Sequence, residues 1–236
     1  MEKIIYLDLL EYLIHEVTQL NSVIKASSEL LAKKAKEGSD KKAISHHSSL
    51  IHENSTVLSY LIDVVNYKLN PTFFERQEKD LRNIHGKFFK TIQSLERRKK
   101  DKRLTITFSC ECEGLINLYP IFETVPYILL DNAIKYSPKD CLISIEIVDY
   151  STFVKILTKN TGPFLTEEEK THIFDYGFRG KEAQKMTQIG QGLGLNFLQD
   201  ICHLHDGKIS IVTGAESCKV DNISMCEFQL IIDLPK

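Results

Sequence analysis

The sequence predicts an α+β protein: an N-terminal helical hairpin followed by an α/β sandwich. Three observations carry this. Apolar residues recur at steps of three and four through residues 2–36 and 40–68, with no Pro or Gly inside either run. From residue 72 onward the pattern changes to short alternating runs interleaved with helical ones, as in a sheet covered by helices. Between residues 126 and 207 four short motifs follow one another in a region otherwise rich in apolar runs.

The first helix is marked by Ile5, Leu9, Leu13, Val17, Leu20, Ile24 and Leu31. Gly38, Ser39 and Asp40 then stop it and offer a cap for the next. The second carries Ile44, Val57, Leu58, Leu61, Ile62 and Val65, and Asn70-Pro71 ends it. Each helix has one apolar stripe, and a lone hairpin cannot cover both. Pairing two hairpins into a four-helix bundle is the simplest solution, so residues 1–70 are expected to form a homodimer. The alternative is a hairpin packed against its own second domain.

Residues 71–236 are expected to form that second domain. Residues 72–77 suggest a short strand, and Asp80 a cap for a helix carrying Leu81, Ile84, Phe88, Ile92 and Leu95. The run ERRKKDKR at 96–103 reads as a solvated helix end and loop, since cations suit helix C-termini. Residues 104–110 alternate cleanly and predict a half-buried strand. Residues 121–136 read as helix. Residues 141–148 and 153–158 read as a hairpin. Residues 166–174 read as a short helix capped by Thr166, with acids in its first turn. A helix over 193–205 and strands over 208–212 and 225–232 complete the sandwich.

Composition excludes several classes. The chain has 236 residues, 42% hydrophobic and 26% charged, with a net charge of −2. Nothing there favours nucleic acid or an anionic membrane as partner. No apolar run approaches the roughly 18 residues of a membrane-spanning helix, and the acidic N-terminal stretch does not read as a secretory signal. The six cysteines lack zinc spacing and read as reduced thiols of a cytoplasmic protein.

The motifs carry chemistry. In ILLDNAIKYSP, Asn132 supplies a neutral oxygen suited to a hard cation such as magnesium. Lys135 and Tyr136 lie about one turn further on, where they can reach phosphate and pack along a nucleoside. In KNTGPFL, Gly162 permits close approach of backbone to a planar base, and the Asn160 side chain offers an acceptor oxygen; a capped turn between strand and helix is the plainer reading. In IFDYGFRG, Phe174 and Phe178 flank Gly177. The polar segment 177–190, which includes Arg179 and Lys181, has the composition of a mobile lid, although the aromatics also suit a core. Gly190, Gly192, Leu193 and Gly194 precede or open the last long helix, where free backbone amides favour an anion.

In this order the four motifs resemble the nucleotide-binding domain of sensor histidine kinases, within the wider family that includes Hsp90-like and MutL-like ATPases. The resemblance runs from about residue 72 to the end, and a second one centres on His15-Glu16 in the first helix. It implies ATP and magnesium as ligands, with Asn132 on the metal, Asn160 on the adenine amino group, and Phe178 and Arg179 in the lid. It also implies His15 as phospho-acceptor, with Glu16 taking a proton from its ring. Gln19 then stands where the family positions a hydrolytic water, which keeps phosphatase activity toward a response regulator open. On its own, His15 reads as a surface or interface residue of a helix. The chain departs from the family at Ile128, where a second asparagine is usual, at Asn160, where aspartate is usual, at Phe164, where glycine is usual, and at Leu20-Asn21, where Pro-Leu is usual.

The expected function is an ATP-dependent protein-histidine kinase core of a two-component-type system, passing phosphate to an aspartate of a response-regulator receiver domain. A separate sensor protein, or the hairpin itself, is expected to supply the stimulus. The first alternative is a non-catalytic, nucleotide-gated scaffold that binds or inhibits a regulator, and the second an ATPase or serine kinase of the same superfamily.

Overall fold

A computed structural model describes residues 2–36, 41–111, 115–187 and 192–236, with the side chains of residues 2–13, 15, 16, 71 and 75 outside that set. The chain divides into two compact units, Met1–Phe74 and Glu75–Lys236.

In the first unit, α1 (Glu2–Lys36) and α2 (Lys41–Leu69) lie against each other as a hairpin. The expected turn at 38–40 lies outside the described residues. Leu61 and Val64 of α2 are buried, while Ile14, Val23, Leu30, Ile62 and Leu69 remain exposed. One chain by itself thus leaves part of each apolar stripe uncovered. Among the described residues, no helix is long and apolar enough to cross a membrane.

Residues 72–77 are not a strand. A short helix, α3 (Pro71–Glu75), follows α2 directly, and the Asn70 carbonyl accepts the Phe73 N–H at 3.1 Å. Proline at the first helical position gives up no hydrogen bond there, so it starts this helix as well as ending the previous one.

In the second unit, Asp80 is not a helix cap. Asp80–Asn83 is strand β1, antiparallel to β3 (Leu115–Leu118), and Leu81 is exposed on its outer face. The helix that follows, α4 (Ile84–Ser94), is capped instead by Asn83, whose Oδ1 accepts the Gly86 N–H at 2.7 Å. Next comes α5 (Glu96–Asp101).

The main sheet has the order β2-β4-β5-β8-β6, with β7 paired to β8. Its strands are β2 (Thr105–Cys110), β4 (Leu142–Asp149), β5 (Phe153–Pro163), β6 (Lys208–Thr213), β7 (Cys218–Val220) and β8 (Ile223–Pro235). Only the β2–β4 pairing is parallel. The intervening chain holds a 3-10 turn (Pro120–Thr124) and α6 (Val125–Tyr136). With α9 (Gly194–Leu204) and α4, α6 covers one face of the sheet. This is the helix-covered mixed sheet that the sequence pattern predicted.

Register explains the core and where it ends. Cys110, Ile147, Ile156, Ile232 and Ile209 form one row across the strands. The next row replaces its β5 member with Thr158, and the position beyond that on β5 is Asn160. Both are buried. Each fully buried Ile contributes about 1.5–3 kcal/mol. The change from Ile156 to Thr158 to Asn160 therefore gives up apolar burial progressively along one strand. That polar end is where the candidate site lies.

His205, just past α9, ties that helix to the chain before α6. Its Nδ1 donates to the Ile201 carbonyl at 2.7 Å, and its Nε2 accepts the Tyr119 N–H at 3.0 Å. A carbonyl only accepts and an N–H only donates, so the ring is fixed in the neutral tautomer. Burial pushes its pKa below the ordinary 6.5. The unfolded chain therefore binds this proton first, and the contribution of His205 to stability is complete above 6.5 and lost as pH falls through the lowered folded value. Urea midpoints at about pH 7.5 and about pH 5.5 check this. The wild type is expected to lose stability over the interval, and His205→Gln to lose distinctly less.

Candidate nucleotide site

The C-terminal half of α6, the far end of β5, the start of α9 and the segment between α7 (Glu167–His172) and α9 supply the candidate side chains. Helix α6 starts behind Pro126 in its first turn and buries Ile128, Leu129, Leu130, Ala133 and Ile134. Its remaining face presents Asn132, Lys135 and Tyr136. The Lys135 ammonium sits 5.2 Å from the Tyr136 ring centre. Burial raises the Tyr136 pKa, and the positive charge of the neighbouring Arg179 partly opposes that.

Asn132 has a buried amide nitrogen with no partner among the described residues. A Cβ placed on Gly194 would come 3.7 Å from that nitrogen. The asparagine therefore lies under the first turn of α9, with an unmet polar group beside unhindered backbone. Buried polar atoms are nearly always satisfied, and a ligand is one way to satisfy this one. Ile128, where a second asparagine would be usual, is buried in the core at 3% exposure and offers no ligand atom.

Asn160 and Gly162 are not in a turn. Strand β5 continues to Pro163, so both lie on its inner face. The Asn160 Nδ2 donates to Ser137 Oγ at 3.1 Å and to the Thr161 carbonyl at 2.9 Å. Phe228 is its cross-strand partner, and the Phe228 Cβ would lie 3.2 Å from a Cβ on Gly162. A side chain there would press on Phe228, and glycine leaves β8 room to come this close.

The proposed lid is bounded by α7 (Glu167–His172) and α9, and it contains a short helix, α8 (Lys181–Met186). As the sequence predicted, Thr166 caps α7, in a reciprocal box with Glu169. Glu169 also accepts from the first N–H of α8: its Oε2 takes Thr166 N–H at 2.9 Å and its Oε1 takes Lys181 N–H at 2.8 Å. Burial alone would raise this carboxyl, but those donors outweigh it and hold it below the usual range. At the other end of α8, Arg179 donates to the carbonyls of Ala183, at 3.2 Å, and Thr187. Glu182 accepts the Ser224 N–H at 2.9 Å, joining α8 to β8. Asn196 of α9 donates to the Phe174 carbonyl at 2.9 Å. Phe178 lies 6.0 Å from the His172 ring.

Gly192 has φ +71°, and a Cβ there would lie 2.3 Å from the Phe178 carbonyl oxygen. Leu193 is the N-cap residue of α9. Gly190 lies outside the described residues. His15, Glu16 and Gln19 lie in α1, in the other unit; the side chains of His15 and Glu16 are outside the described set.

The sequence reading missed Ser137, Phe228 and Lys102. Lys102 belongs to the run taken as solvated, yet its Nζ donates to the carbonyls of Ile134, Lys135 and Ser137 at 2.8, 2.8 and 2.9 Å. In the same run, Arg98 pairs with Asp131 at 2.6 Å. One signal was available. Helix α6 ends in Tyr-Ser-Pro with no glycine to close it, so its last carbonyls needed a donor from elsewhere.

Comparisons with known proteins agree with this fold. Residues 121–235 match the family described as histidine kinase-, DNA gyrase B-, and HSP90-like ATPase. That segment is therefore an ATPase domain of this type. The chain is 31% identical over 173 residues to histidine kinase P4 of Formosa agariphila, covering 69% of this chain and 12% of that protein. It spans about an eighth of that relative. Among solved structures, the nucleotide-free catalytic domain of histidine kinase ThkA superposes with a TM-score of 0.55 at 25% identity, covering 68% of this chain and 97% of that one. ThkA in complex with the response regulator TrrA shares the fold over 97% of this chain and 61% of that one, with a TM-score of 0.50 at 19% identity. Together these similarities support a histidine kinase core with a GHKL-type ATPase domain.

Proposed function

We propose that the chain is an ATP-dependent protein-histidine kinase core that phosphorylates itself on His15 and serves a two-component-type pathway. The observation that carries this is the buried, unpartnered amide of Asn132 beneath the start of α9, with Lys135, Tyr136 and Arg179 on the adjoining surface. Through its side-chain oxygen Asn132 would hold a magnesium ion, which neutralises phosphate charge when bound, and its buried NH2 group would donate to a phosphate oxygen. Lys135 and Arg179 would meet phosphate oxygens. The Gly192, Leu193 and Gly194 amides, together with Gly190, would bind the same anion. Asn160 and Gly162 would receive the base, with Phe178 above it.

In the transfer, a ring nitrogen of His15 forms a bond to the γ-phosphorus as the bond to the β–γ bridging oxygen breaks and ADP departs. Glu16 accepts the proton leaving the other ring nitrogen. Gln19, one turn on, is suited to orient a water for hydrolysis of a receiver-domain aspartyl phosphate. The exposed Ile14, Val23, Leu30, Ile62 and Leu69 support a homodimer through residues 1–70. By analogy with the ThkA complex, the next acceptor would be a receiver domain.

The test uses γ-labelled ATP and magnesium with wild type, His15→Gln and Asn132→Ala. Acid-labile, alkali-stable label is expected on wild type alone. Unlabelled protein that still binds ATP, with binding weakened by Asn132→Ala, would remove His15 as acceptor and leave a nucleotide-gated scaffold.

A further inference from the structure

Asn160 raises a question that an aspartate would not. A carboxylate only accepts, whereas an amide has an accepting end and a donating end. Its accepting end suits the 6-amino group of adenine, and its donating end suits the 6-oxo group of guanine. Which purine is favoured therefore depends on what holds the amide in place.

The neighbours of Asn160 fix its direction. The Thr161 carbonyl, 2.9 Å away, cannot donate, so the end facing it must be the NH2 group. The other amide hydrogen goes to Ser137 Oγ at 3.1 Å. Both donors are thus used inside the protein, and Oδ1 is left to face a base. Ser137 is fully buried, just past the last turn of α6. Its carbonyl is one of the three acceptors around the Lys102 ammonium, the others being Ile134 and Lys135. An ammonium has three donors, and all three are engaged at the end of this helix. A continuous chain therefore runs from Lys102 through the backbone of Ser137 to its hydroxyl and on to the Asn160 amide.

We propose that Lys102 and Ser137 are positioning residues that hold Asn160 with its carbonyl toward the ligand, so that the site selects a 6-amino over a 6-oxo purine nucleotide. The proposal rests on the nucleotide-binding reading of the site. Without Lys102, the final carbonyls of α6 lose their donor and Ser137 is released. Without the Ser137 hydroxyl, only the Thr161 carbonyl resists rotation of the amide. In either case the NH2 group becomes available to a 6-oxo base.

The experiment measures ATP and GTP dissociation constants, with magnesium, for the full chain. The proteins are wild type, Lys102→Met, Lys102→Arg and Ser137→Ala, each checked for folding by circular dichroism. Wild type is expected to favour ATP by about tenfold or more, one hydrogen bond's worth of discrimination. Lys102→Met and Ser137→Ala are expected to bring the ratio toward unity, and Lys102→Arg, which keeps a cationic donor, to preserve most of it. A general loss of stability would weaken both nucleotides alike and leave the ratio unmoved. If Lys102→Met does not fold, Ser137→Ala carries the test alone. An unchanged ratio in the variants overturns the proposal while the site reading stands, and so does a wild type without preference. A wild type that binds neither nucleotide overturns the site reading, and the proposal with it.

Discussion

Gly192→Ala is expected to weaken ATP binding severely while leaving the sheet and its helices folded. Two effects act together. The residue sits at φ +71°, in the left-handed region, where a side chain costs roughly 1–2 kcal/mol. The larger effect is collision. The new methyl would lie 2.3 Å from the Phe178 oxygen, 2.6 Å from the Gly177 carbonyl carbon and 2.8 Å from the Phe178 nitrogen. All three are backbone atoms and cannot swing aside as a side-chain tip could. Either the start of the proposed lid moves or the chain entering α9 does. Both flank the surface assigned to the phosphates, so affinity is expected to fall by roughly tenfold or more, equivalent to about 1.4 kcal/mol. Calorimetric titration with ATP measures the loss, and the urea midpoint tests whether the fold survives. Unchanged affinity would mean that the contact between Gly192 and Phe178 has no part in binding.

Phe197→Ala is expected to be the most damaging change to stability. Phe197 is fully buried on α9, the helix that covers the sheet beside α6. Removing a buried aromatic ring costs about 3–5 kcal/mol, because a cavity remains after the transfer energy is lost. Against a typical total of about 5–15 kcal/mol, that leaves the domain marginal. Urea unfolding should show the loss, and Phe197→Leu should recover much of it. A change below about 1 kcal/mol would mean that α9 does not depend on this contact. Because α9 also carries Gly194 and Asn196, ATP binding is expected to fall in parallel.

Where local chemistry decided the outcome, the sequence was sufficient. The two long helices were legible because nothing interrupts their apolar stripes. Helix α7 was legible from Thr166 and its three acids, and β4 from the alternation of Ile143, Ile145 and Ile147. The small β1–β3 sheet was not. Asp-Leu-Arg-Asn is four residues long and mostly polar, and it is a strand because β3 supplies its partner. The end of β5 was misread for a related reason. Asn-Thr-Gly has the composition of a turn, but β8 pairs with it as far as Pro163. The basic run shows the limit most clearly. Spacing and charge alone do not distinguish Lys100, which is mostly exposed, from Lys102, which closes a helix some thirty residues away. The motif residues themselves were readable one by one. The hydroxyl and the ammonium group behind Asn160 were not, because Lys102 comes from a distant run and the sequence does not show that Ser137, though inside a motif, faces β5.

Glu169 has a mechanical consequence. One carboxylate holds the first N–H of α8 while its other oxygen closes the box on α7. Helix α8 therefore cannot translate away from α7 without stranding a buried acceptor, yet it can turn about that point. The carboxylate is a fulcrum, with Gly180 packed beside it. Rotation about it would lift the far end of α8, where Arg179 holds the Ala183 and Thr187 carbonyls, and would separate Glu182 from Ser224. Such a rotation would leave the α7 side held and open the side that Glu182 ties to β8.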